Sequence, residues 1–82
     1  MSSVINIKEE TTYREEMKSN CKRWAKSLEK KHIPISSAWD SFNENYPNEI
    51  SYVGFFKSFK AGTFSYDNYV KVRTFFNQLE NN

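Results

Sequence analysis

Cysteine, histidine, glycine and proline are all scarce in this chain of 82 residues, with one, one, two and two of each. The lone Cys21 excludes an internal disulfide and a multi-cysteine zinc site, and it favours a reducing, intracellular setting. It falls on an apolar stripe, where a cysteine behaves as a small hydrophobe. The single His32 closes the stretch Lys30-Lys31-His32, where a solvated or dipole-complementing role at a helix end outweighs general-base work. Neither Gly54 nor Gly62 belongs to a phosphate-cradling loop. Acidic residues are scattered without the paired spacing of a metal site or an acid/base couple. No enzyme activity, metal or cofactor is expected. No apolar run approaches the roughly 20 residues of a membrane span, and the opening MSSVINIKEE does not read as a signal peptide. A soluble, cytoplasmic protein is the expectation.

What is abundant is aromatic. Phe, Tyr and Trp make up 17% of the residues, and nearly all of them lie from Trp39 onward, so the C-terminal half must supply most of the packing. A chain this short forms one domain, residues 1–82, with a modest core. The formal net charge is only +2, yet it is unevenly spread. Lys18, Lys22, Arg23, Lys26, Lys30 and Lys31 face a single acid, Glu29, whereas Glu9, Glu10, Glu15 and Glu16 dominate the first sixteen residues. Two readings stand: one end attracts phosphate, or acids and bases complement the dipole of one helix.

Taken in order, residues 1–10 read as a flexible or strand-forming arm. Thr12 and Glu15 form a capping-box signature, and Tyr13, Met17, Cys21, Trp24 and Leu28 recur at helical spacing over about five turns. Ile33-Pro34-Ile35 breaks this helix. Ser36 or Ser37 caps a short third element, SAWDSFNENY, with Trp39, Phe42 and Tyr46 on its apolar side, and Pro47-Asn48 stops it. Ser51 caps the next helix, which runs to about Lys60 with Phe56 and Phe59 inward. Ala61-Gly62 ends it in a glycine C-cap. Ser65 caps the last helix, where Tyr69, Val72, Phe76 and Leu79 make a stripe widened by Val70 and Phe75. The fold class is therefore all-α: a small four-helix domain with a short N-terminal arm.

From Ile50 to Leu79 the order is small cap, short helix, glycine, short connection, serine, long amphipathic helix. This resembles the second half of the lambda-repressor and Cro-like helix-turn-helix domains of phages and plasmids. The resemblance implies that the block before Gly62 is the recognition helix, with Phe56 and Phe59 inward and Tyr52, Val53, Gly54, Lys57 and Ser58 facing DNA. Lys60 shares the exposed side, while Lys71 and Arg73 on the following helix are placed for flanking phosphates; Tyr52, Lys57 and Ser58 read base edges. Where the family has a tight turn that usually carries glycine, this chain has the longer, proline-bearing YPNEIS. Ser41 is the candidate small residue where the two helices cross.

The implied function is a sequence-specific regulator of double-stranded DNA of the repressor type. One recognition helix reads few base pairs, so a homodimer is expected, through either the arm or the last helix. The competing class is a protein-binding module, such as a phage-borne anti-CRISPR or anti-restriction inhibitor. There, exposed aromatics anchor an interface, with Phe55, Phe64 and Tyr66 as candidates and core or dimer packing as their alternative fate.

Overall fold

No proline or glycine interrupts the first thirty residues, and the backbone there is helical from Ser2. A computed structural model describes the backbone of residues 2–81 and the side chains of residues 13–81. It contains four helices: α1 (Ser2–Lys30), α2 (Ile35–Asn45), α3 (Tyr52–Ala61) and α4 (Tyr66–Asn81). The segment expected to be an arm is thus the first part of α1, and the Thr12–Glu15 signature falls inside the helix. The side chains of residues 2–12 lie outside the described residues. The remaining boundaries follow from local chemistry.

Lys30 ends α1 with a closing turn in which the Ile33 N–H donates to the Leu28 carbonyl at 2.9 Å and His32 adopts φ 58°. That left-handed position normally goes to glycine or asparagine. At α2 the expected serine caps are displaced. Pro34, at φ −66° and ψ 152°, is the N-cap, with no side-chain cap. Its carbonyl accepts from the Ser37 and Ala38 N–H groups. Proline's locked φ suits this half-in position, so the helix begins before either serine can cap it.

Two other caps form as the sequence implies. Ser51 Oγ accepts the Gly54 N–H at 3.2 Å, and Ser65 Oγ accepts the Asn68 N–H at 3.4 Å. Gly62 closes α3 at φ 68°, its N–H donating to the Ser58 carbonyl at 2.7 Å.

The core is a series of rings. Trp24 of α1 stacks on Phe76 of α4 at 4.7 Å between centroids. Phe76 stacks on Phe59 of α3 at 5.6 Å, and Phe59 on Phe55 at 5.6 Å. Interplanar angles of 9°, 11° and 16° make this a near-parallel column. Phe42 of α2 joins it through Phe55 at 5.5 Å. Met17, Cys21, Leu28, Tyr69 and Val72 fill the space around the rings.

Two expectations about inward faces, those for Phe56 and Ser41, change, and the open choice for Phe64 falls to the core. Phe55 is fully buried and Phe56 is not, so the inward pair of α3 is Phe55 and Phe59. Their spacing of four residues lets both rings join the column, whereas Phe56 points outward. Phe64 is buried too, its N–H donating to the Met17 sulfur at 3.0 Å. Ser41 is exposed, and the small buried residue of α2 is Ala38. Tyr66 is exposed, and half-buried Trp39 donates its indole N–H to the Ile50 carbonyl at 2.9 Å.

Candidate nucleic-acid interface

Because Phe55 and Phe59 hold one side of α3 in the core, the opposite side is left to solvent. With 100° per residue, Tyr52 borders that outward face from the open first turn of the helix, and Val53, Phe56, Lys57 and Lys60 lie on it. The first three are 37%, 60% and 39% exposed, and both lysines are exposed. The face is ordered by its own contacts. Tyr52 meets Trp39 edge-on at 5.8 Å and lies 6.0 Å from Phe56. Lys60 Nζ sits 6.0 Å from the Phe56 centroid, at the outer limit of a cation–π contact. Ser58 lies on a flank of the helix and is half-buried, so it joins this face only at its edge.

Lys71 and Arg73 are not part of that surface. Two residues apart, they project about 200° from one another round α4. Lys71 is ion-paired with Glu49 in the connection before α3. Arg73 donates to Glu16 of α1 at 2.9 Å and lies over the Tyr69 ring at 5.4 Å. The same Glu16 oxygen accepts the Tyr69 hydroxyl at 2.6 Å, and Asn20 donates to that hydroxyl at 2.8 Å. The Tyr69 hydrogen bond, helped by Arg73, holds the Glu16 carboxyl below its usual range. Burial first, and the bond to Glu16 second, push Tyr69 up to about 12. These groups tie α4 to α1 and to the α2–α3 connection.

A basic region does adjoin α3, from a different helix. Lys18 and Lys22 of α1 and Lys60 of α3 rim an open groove of about 310 Å³, floored by Cys21, Phe59 and Gly62 among others. The two helices come this close because position 62 has no side chain: a Cβ there would lie 3.0 Å from Lys18 Cα. Burial pushes the Cys21 thiol up to about 11, so the floor is a neutral, apolar surface. Among the described residues the ion pairs are Arg23–Glu80, Lys71–Glu49 and Arg73–Glu16. Lys18, Lys22, Lys57 and Lys60 take part in none of them.

No protein-family model, curated protein or solved structure matches this chain. Among the described residues no helix is long and apolar enough to cross a membrane, and no three His, Cys, Asp or Glu side chains gather as a metal site would require.

The sequence leaves the α1 lysines between phosphate attraction and dipole complementation. Their four-residue spacing was visible there, but which helix they would face was not.

Proposed function

We propose that this chain binds double-stranded DNA through the outward face of α3, as a small transcriptional regulator of the phage or plasmid repressor type. The observation that carries the reading is the α3 face itself: a short capped helix, anchored by two buried phenylalanines, presenting Tyr52, Val53, Phe56, Lys57 and Lys60 to solvent. In a major groove such a helix offers lysines for guanine edges or phosphates, and apolar groups for thymine methyls. The packing of α2 against α3 through Phe42 and Phe55 is compatible with a helix-turn-helix pair despite the long connection. Lys71 and Arg73 are left out of the proposed contacts, since the carboxylate beside each repels phosphate. A homodimer would double the few base pairs that one α3 reads.

A specific observation also favours the protein-binding alternative. Tyr52, Val53 and Phe56 together with Trp39 form an aromatic and aliphatic patch of the kind that anchors protein interfaces. The two readings separate on salt. Mobility shift of the purified protein on DNA from its own upstream region, at low and near-physiological salt with unrelated competitor, tests the first. A shift that survives competitor supports the regulator. No shift at either salt refutes it, and capture of a protein partner that is insensitive to salt and lost in Phe56→Ala supports the alternative.

A further inference from the structure

We infer that the groove between α1 and the end of α3 seats the phosphodiester backbone of the bound nucleic acid, making α1 a second contact element outside the α2–α3 pair. This rests on the DNA-binding reading of α3. Lys18, Lys22 and Lys60 line one groove, the Lys60 ammonium lying on the side of it toward Phe56, and no acidic residue lines it among the described residues. None of the three joins an ion pair among the described residues, so no resident carboxylate has to be displaced before an anion enters.

The Lys18 stem lies against the bare backbone of Gly62, and Phe59 and Cys21 add apolar lining on which lysine stems can rest with their ammonium groups toward water. The occupant is a polymer backbone rather than a small anion for two reasons. The groove is open, and the basic row continues past it. Lys18, Lys22 and Lys26 recur every four residues, about 6 Å apart along the helix axis, close to the step between neighbouring phosphates on one strand. Lys60 belongs both to this groove and to the outward side of α3, so a strand lying in the seat would pass directly beside the helix proposed to read bases.

The test is the salt dependence of binding to a fluorescently labelled duplex from the protein's own upstream region, measured by anisotropy between 50 and 200 mM salt, the range over which counterion release is large. Lys18→Gln/Lys22→Gln removes two charges and keeps the first carbons of the Lys18 stem that pack against Gly62. Arg23→Gln/Lys31→Gln removes two charges elsewhere, since Arg23 faces Glu80 on α4. Each neutralised phosphate contributes about 0.9 to the slope of log affinity against log salt. The groove variant is therefore expected to lose about 1.8 from its slope, which is roughly tenfold less loss of affinity across that range. The control keeps the parent slope. Circular dichroism confirms that both fold. If the parent binds and the groove variant keeps its slope, the seat is overturned while the DNA-binding reading stands. If the parent binds no duplex even at 50 mM salt, both fall together.

Discussion

Gly62→Ala is the most severe small change that this fold implies. Two penalties meet at that residue. Its φ of 68° is left-handed, where an L side chain costs about 1–2 kcal/mol. Reduced freedom of the unfolded chain offsets about 0.4–1 kcal/mol of that. The new methyl would also lie 3.0 Å from both Lys18 Cα and Lys18 Cγ. The lysine stem can swing aside but the α1 backbone cannot, so the two helices must part by a few tenths of an ångström, an overpacking cost on the order of 1 kcal/mol or more. The net loss is about 1–3 kcal/mol. For a domain of this size each kcal/mol moves Tm by about 4–8 °C, so thermal unfolding followed by circular dichroism should show a fall on the order of 10 °C. Gly62→Asn shares the clash but tolerates the left-handed backbone, and should lose less. An alanine variant within about 0.5 kcal/mol of the parent would refute both the close approach and the strain argument.

Other perturbations act on separate parts of the molecule. Lys57→Ala with Lys60→Ala should weaken duplex binding with little change in Tm, because both side chains are exposed; unchanged affinity would mean that α3 is not the reading helix even if binding is real. Glu16, whose carboxyl is held low, adds stability that is present above its unfolded value near 4.5 and lost as pH falls through the folded one. The contribution of this half-exposed group is below about 1 kcal/mol, and Glu16→Gln should flatten that acid limb in denaturant titrations across pH. Tyr69 is raised, so its contribution is lost between pH 10 and about 12, and Tyr69→Phe should remove that alkaline loss. Trp24 is fully buried, and no acceptor among the described residues reaches its indole N–H. Trp24→Phe removes an unsatisfied donor worth about 1–3 kcal/mol while opening a small void, for a net change within about 1 kcal/mol. Trp24→Ala should cost about 3–5 kcal/mol, and equal losses in the two variants would contradict this account.

Features set by a few neighbouring residues were legible before the structure. Ser51, Gly62 and Ser65 cap as expected because a cap depends on one side chain or one φ. The stripe from Met17 to Leu28 is buried because only one register of a helix can hide all of it. Adjacent phenylalanines defeated the same logic in α3, where Phe55 and Phe56 fit a helical period equally well and only the ring stack on Phe59 decides between them. The start of α1 was missed because Thr12–Glu15 is a strong local signal that a continuing helix simply overrides. Lys71 and Arg73 looked free because their carboxylate partners, Glu49 and Glu16, lie 22 and 57 residues away in sequence. For Lys18 and Lys22 the sequence leaves phosphate attraction and dipole complementation both open, because their neighbour across the groove, Lys60, belongs to another helix.

The column of rings also decides whether the chain can be divided. Trp24 comes from one end of the sequence, Phe76 from the other, and Phe59 and Phe55 from between them. Neither α1–α2 nor α3–α4 alone contains a complete stack. Cleavage in the connection between Asn45 and Tyr52 should leave two fragments that are each largely unfolded, and that recover helix only when mixed. Such mutual dependence makes the molecule an all-or-nothing switch toward proteolysis: one nick there, followed by separation of the pieces, would abolish the α3 face and the α1 groove in the same event.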